Sequence, residues 1–185
     1  RVSPNMTVIR PADANEAGYA GKAALLPTEG PVALSLTRHD VPVFDRSKLA
    51  SAEGLLRGGY ILAEASNGKP DIILMGTGSE VQHCVRAWKL LTEQGVQARV
   101  VSLPSFELFE AQTQEYRDEV LPPSVRKRLA VEAGATACWY RYVGTEGDVI
   151  GIDRFGASAP PAVVMEKFGF TADNVVKRAL ALLGR

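Results

Sequence analysis

The 185-residue sequence has little of what marks several protein classes. Its two cysteines, Cys84 and Cys138, form no CxxC pair. A reducing, intracellular compartment is the simpler reading of so few. Its two histidines, His39 and His83, belong to no His/Cys/carboxylate cluster with metal-ligand spacing, so no transition-metal site is argued. No block of five or more like charges occurs, and 21 basic residues balance 21 acidic ones. The basic footprint of a nucleic-acid-binding domain is therefore missing. No apolar run approaches the roughly 18 residues that cross a bilayer. Neither a signal peptide nor an amphipathic Arg-rich presequence is visible. There are no internal repeats and no low-complexity segments. The chain begins at Arg1 without an initiator Met, and "RVSPNMTVIRPAD" already reads as the interior of a domain. A fragment or processed product is expected.

What is present is ordinary for a globular domain: 46% hydrophobic and 23% charged residues. "MTVIR" (6–10) reads as a short strand. Asp13 and Asn15 can cap a helix from about Glu16 to Leu26. "VALSL" (32–36) is a second, mostly buried strand. This strand–helix–strand unit is too short to close its own core and needs partner strands. Residues 39–57 show no sustained period and read as an interdomain linker.

From Gly58 the pattern is self-contained. "GGYILAEA" (58–65) and "DIILMGTG" (71–78) are strands, and the Asn67–Gly68 turn predicts that they pair antiparallel. The unbroken run Ile72–Met75 suits a strand buried on both faces. Ser79 and Gln82 fit a capping box at a helix start. Val81, Cys84, Val85, Trp88 and Leu91 fall on one helical face, and Gly95 ends the helix. "VQARVVSL" (96–103) completes a βαβ unit, whose strands are parallel. Residues 106–119 are helical in part. "RLAVEAG" (128–134) and "DVIGID" (148–153) are further strands. "ATACWYRYVG" between them is ambiguous. Ser158 can cap a helix through "APPAVVMEKF", and Thr171 caps the last helix.

Several constellations could carry chemistry. "GTGSEV" (76–81) follows a buried strand and opens a helix, where a phosphate could sit. The dinucleotide fingerprint wants a third glycine, but position 81 is Val, so a tight strand-to-helix turn is the better reading. Glu132 ends an apolar strand, the end where open α/β sheets place ligands. No second catalytic group accompanies it, and a paired or interface carboxylate is preferred. His83 reads as a solvated helix residue. Trp139, Tyr140 and Tyr142 cannot all be buried by one small domain face, and a homodimer contact and an ordinary core segment are equally open. Arg38 closes the apolar run "ALSLTR" (33–38). On the strand end alone, a surface arginine is the simpler reading.

The residues in order say more. "PNMTVIRPADANE" (4–16), "ALSLTR" (33–38), "GGYIL" (58–62), "ILMGTGSEV" (73–81), "ARVVSLPS" (98–105), "VLPPSV" (120–125), "AVEAG" (130–134), "WYRYVG" (139–144), "FGASAP" (155–160) and "FGFTADNV" (168–175) run through the whole chain. Their ordered combination resembles the C-terminal end of the transketolase family. The resemblance implies that residues 1–38 are the end of a pyrimidine-binding domain and residues 58–185 a C-terminal domain, with 39–57 between them. The implied fold is α/β: a mixed, mostly parallel five-stranded sheet with flanking helices, preceded by a partial α/β stub.

The resemblance further implies transfer of a two-carbon ketol unit between phosphorylated sugars, with thiamine diphosphate and Mg²⁺ as cofactors and a homodimer as the assembly. The family's metal and diphosphate motif starts with Gly-Asp-Gly. The only Gly-Asp here is Gly147–Asp148, followed by Val149. The cofactors are therefore expected on parts outside this chain, and no catalytic, cofactor or metal residue is assigned. One position carries over. The family's strand-end arginine for the sugar phosphate matches Arg38, with Thr37 in place of Ser and His39 where many members have Gln. A guanidinium can bind phosphate oxygens bidentately. The expected location is cytoplasmic, or plastid after removal of a transit peptide. Dihydroxyacetone synthase, deoxyxylulose phosphate synthase and a non-catalytic dimerisation or binding module are the alternatives.

Overall fold

The computed structural model describes residues 3–26 and 30–185. A small parallel pair comes first. β1 (Thr7–Ile9) leads through α1 (Ala14–Leu25) to β2 (Val32–Leu34), with Val8 opposite Ala33. Asp13 caps α1 by accepting the Glu16 N–H at 2.9 Å. The sequence reading of β2 as mostly buried does not hold. Leu34 is 40% and Leu36 62% exposed. A two-stranded parallel sheet has only one strand to cover each neighbour's edge, and parallel sheets are stable when covered on both faces. Residues 39–57, read from sequence as having no helical period, contain a 3₁₀ helix at Ala52–Arg57, and Phe44, Ala52 and Leu55 are buried.

The main sheet contains β3 (Tyr60–Ala63), β4 (Ile72–Gly76), β5 (Ala98–Ser102), β6 (Arg128–Val131) and β7 (Asp148–Ile150). Its strand order is β3-β5-β4-β6-β7, and all neighbours are parallel except β3 with β5. The fold class expected from sequence is therefore found. The expected β3–β4 hairpin is not. β5 lies between them, because both edges of β4 are taken by parallel neighbours. Asn67 accepts the Lys69 N–H at 2.8 Å, so the Asn–Gly pair makes a local turn and no hairpin. Gln97 accepts from Ser66 Oγ at 2.8 Å, and Arg99 on β5 pairs with Glu64, which draws the end of β3 onto β5.

Helices cover both faces. α2 (Val81–Glu93) and α7 (Ala172–Leu182) pack on one, where Ile72, Leu74, Cys84, Val100, Leu129 and Val175 meet. α3 (Phe106–Glu110), α4 (Gln114–Val120) and α5 (Tyr140–Val143) pack on the other, against Ile73, Met75, Val101 and Ala130. The four side chains Ile72–Met75 alternate between the two cores and are fully buried. Each contributes about 1.5–3 kcal/mol of apolar burial. Trp139 and Tyr142 join the second core and Tyr140 is 62% exposed, so the aromatic segment is largely core.

Two expected caps are absent. Ser79 donates its hydroxyl to Glu80 Oε1 at 2.5 Å, and a 3₁₀ turn at Gly78–Glu80 opens α2 instead of a capping box. α6 (Pro161–Lys167) starts behind Pro160 with no side-chain cap, so Ser158 plays no part there. The proline ring already holds the first helical residue at a helical φ. Thr171 caps α7 as predicted, accepting the Asn174 N–H at 3.2 Å, and Gly95 follows α2 at φ +74°.

Candidate functional site

In an open parallel sheet, ligands bind outside the carboxyl ends of the strands where the strand order reverses. Here that place is β4. α2 carries the chain to β5 on one side, and α3 and α4 return it to β6 on the other. The crevice between the ends of β4 and β6 is filled by Arg10, from the residue after β1. Its guanidinium donates to Glu80 Oε2 at 3.1 Å and to Glu132 Oε1. Glu80 also accepts the Ala133 N–H at 3.1 Å, and Glu132 Oε2 accepts the Trp139 indole N–H at 2.7 Å. The main chain is tied as well. Arg10 N–H donates to Pro104 O at 2.9 Å, and Gly78 N–H donates to Arg10 O at 3.0 Å.

This arrangement decides two of the sequence candidates. Glu132 is a paired carboxylate. At "GTGSEV" the space beside Gly78 is filled by the Arg10 guanidinium, itself held by two carboxylates, so the motif is a tight strand-to-helix turn. Gly78 adopts φ +62°, and a Cβ there would come 3.0 Å from Arg10 Nη2. Neither Arg10 nor its two partners working together was singled out from sequence. The available signal was that two neighbouring strands, "TVIR" and "LSLTR", both end in arginine.

A second contact closes the other half of the same edge. Glu16, wholly buried in the first turn of α1, accepts from Tyr60 Oη at 2.7 Å, Ser102 Oγ at 2.7 Å and Ala12 N–H at 2.8 Å. Burial raises its pKa above the usual carboxylate value against those hydrogen bonds. Asp13 beside it accepts from Arg46 Nη2 at 2.9 Å and from Phe44 N–H at 2.9 Å. Thus Arg10 covers β4 and β6 while Glu16 covers β5 and β3.

Arg38 lies outside this network. It is exposed, in a bend where His39 N–H donates to Thr37 Oγ1 at 3.3 Å and His39 Nδ1 lies 2.8 Å from the same oxygen. Its neighbour His39 lines a cleft of about 870 Å³ with Gln82, His83, Arg86, Phe170 and Asn174. The chain's two histidines therefore share one cleft. His83 is half-buried rather than solvated, and burial, then Arg86 and His39, lower its pKa to about 4. Nothing in the spacing of the two residues foretold this.

The residues here do not fit a metal–diphosphate site. Asp148, of the only Gly-Asp pair, is engaged by Arg178 Nε at 2.5 Å and Nη2 at 2.6 Å. Among the described residues no three His, Cys, Asp or Glu side chains could hold a metal ion. No helix among them is long and apolar enough to cross a membrane.

Comparison with known proteins agrees with the ordered motifs. Residues 58–171 match the family described as the transketolase-like TK C-terminal domain. The chain is 52% identical over 185 residues to a transketolase of Geobacillus stearothermophilus, covering all of this chain and 28% of that one. A solved transketolase of Pichia stipitis, in complex with sedoheptulose 7-phosphate, superposes with a TM-score of 0.90 at 40% identity, covering all of this chain and 26% of that one. A split-gene transketolase, described as an inactive β4 tetramer, gives a TM-score of 0.76 at 25% identity, covering all of this chain and 60% of that one. The chain spans about a quarter of the length of the curated transketolases it matches. It belongs to the transketolase-like C-terminal domain family.

Proposed function

We propose that this chain is the carboxyl-terminal part of a transketolase, whose full-length enzyme moves a two-carbon ketol unit between phosphorylated sugars. Residues 1–38 end the pyrimidine-binding domain, 39–57 link, and 58–185 form the C-terminal domain. Thiamine diphosphate, which stabilises the carbanion, and Mg²⁺ are held by parts outside these residues. The enzyme works as a homodimer, in the cytoplasm or in a plastid after removal of a transit peptide. The share of the chemistry that falls to this chain is at the phosphate end of the sugar. Arg38 stands free in solvent, on a bend that follows a strand end, and its planar fork suits a terminal phosphate.

The observation that carries the reading is the match along the whole chain to transketolases, including one solved with a sugar phosphate. Activity of the full-length protein with ribose 5-phosphate plus xylulose 5-phosphate tests it. Its absence, with activity of the dihydroxyacetone synthase or deoxyxylulose phosphate synthase type instead, would move the chain to a relative.

A second reading concerns the chain on its own: an oligomeric module without catalysis. The inactive β4 tetramer of the split-gene relative favours it, as do the exposed Leu34 and Leu36. Light scattering together with a thiamine diphosphate titration tests this reading. An oligomer that binds no cofactor and turns over no substrate supports it.

A further inference from the structure

We propose that Arg10 is a positioning residue for Arg38: clamped between Glu80 and Glu132, it fixes the carboxyl ends of β1 and β2 and so sets where the Arg38 guanidinium stands. The proposal rests on the assignment of Arg38 to the substrate phosphate. It assigns the crevice at β4 and β6 a new occupant, an arginine of the preceding domain, in the place where a parallel sheet would otherwise take a ligand.

The path from Arg10 to Arg38 is short and continuous. β1 and β2 are in register to their last residues, with Ile9 opposite Leu34, and Ser35 N–H donates to Ile9 O at 2.9 Å. Arg10 follows Ile9 directly, and Arg38 follows Ser35 after three residues. On the far side, His39 lines the same cleft as Gln82 and His83 of α2, and the turn that opens α2 carries Glu80. Along the chain, Arg38 therefore falls between two places tied to the Arg10 clamp: the end of β2, bonded to Ile9, and the cleft beside α2.

The clamp itself has directional parts. Ser79 Oγ and Ala133 N–H orient Glu80, and the Trp139 indole orients Glu132. Two carboxylates fixed in this way define the plane of a guanidinium, which an ammonium cannot reproduce. A structural role alone would be met by any packing contact. A set of three oriented donors around two buried carboxylates fits a residue whose exact placement matters to something beyond it.

The test uses the full-length protein that carries this segment, with Glu132→Gln, Arg38→Ala and the double variant, and Glu80→Gln as a second probe of the same clamp. Steady-state kinetics compare a phosphorylated with an unphosphorylated acceptor, hydroxypyruvate being the donor. Glu132→Gln should raise KM for the phosphorylated acceptor by about two- to thirtyfold, the range of couplings carried through packed elements. The unphosphorylated acceptor should change far less. In the Arg38→Ala background the same change should have no further effect on the phosphorylated acceptor, since the contact it tunes is gone. Equal losses on both acceptors, or an undiminished effect of Glu132→Gln without Arg38, would overturn the proposal. If Glu132→Gln lowers the folded fraction, Glu80→Gln is read by the same criteria. Arg38→Ala alone separates the two layers. No phosphate-selective loss there defeats the assignment of Arg38 itself. A selective loss there, with independent effects in the double variant, defeats only the role of Arg10.

Discussion

Arg10 and Glu132 stand 122 residues apart in sequence and meet as a hydrogen-bonded ion pair across the carboxyl edge of the main sheet. Glu80, almost wholly buried, completes the clamp from the turn that opens α2. Arg10→Met should leave two carboxylates without their cation and lower the stability of the 185-residue chain by about 3–5 kcal/mol, the usual consequence of breaking a buried pair from one side. Urea denaturation measures it. A loss below about 1 kcal/mol would mean that the pair is held no better than a surface salt bridge.

The same pair shows where the sequence could be read and where it could not. The run Ile72–Met75 was legible because a strand buried on both faces needs no polar alternation. The buried face of α2 was legible because it repeats within a few residues. So were the caps at Asp13 and Thr171, which act across one turn. The hairpin expectation failed because β5, more than twenty residues further on, takes the edge of β4 that β3 would have used. Ser79 was read as a cap because its carboxylate neighbour was not counted as a competing acceptor. Arg10 and Glu16 were missed because their partners lie far along the chain: Ser102 is 86 residues from Glu16. Arg38 was reached through the family motif, since a strand-end arginine alone describes Arg10 equally well.

Glu16 gives the fold a pH dependence of defined sign. Its folded pKa is raised by burial, so the folded chain holds a proton that the unfolded chain releases. Its contribution is fully present below the ordinary carboxylate range and is lost as pH rises above 4.5 through the folded value. Glu16→Gln should remove that downward slope. Denaturation midpoints of the two proteins at several pH values from 4 to 7 check this, and parallel curves would contradict it.

His83 acts in the opposite direction. Its pKa is lowered from 6.5 to about 4, first by burial and then by Arg86 and His39. The unfolded chain takes up a proton in that interval before the folded chain does, so stability falls as pH drops from about 6.5 to 4. His83→Gln should flatten the melting temperature over this window, relative to the unsubstituted chain. An unchanged slope would place the imidazole in solvent.

Residues 58–185 carry all five strands of the main sheet and the helices on both of its faces. A chain starting at Gly58 should therefore unfold in one cooperative transition. Its melting temperature should be lower than that of residues 1–185, because Glu80, Glu132, Tyr60 and Ser102 lose the partners that Arg10 and Glu16 supply. Circular dichroism on heating decides. A non-cooperative melt would show that the first 57 residues are part of the same folding unit.

The most direct measurement is on Arg38 in the full-length protein. A hydrogen bond to a charged group contributes about 1.5–3 kcal/mol, so Arg38→Ala should lower kcat/KM for phosphorylated sugars by roughly ten- to a hundredfold. Much of the loss should fall in KM, because the phosphate is remote from the bond that breaks. Arg38→Lys should recover part of it by keeping the charge without the fork. Hydroxypyruvate, which has no phosphate, should be affected far less in its half-reaction. A thermal melt on the same samples should be unchanged, as Arg38 is exposed. Selective loss on phosphorylated substrates with an intact melt is the result this account predicts. Equal losses on both kinds of substrate, or a lowered melting temperature that accounts for them, would contradict it.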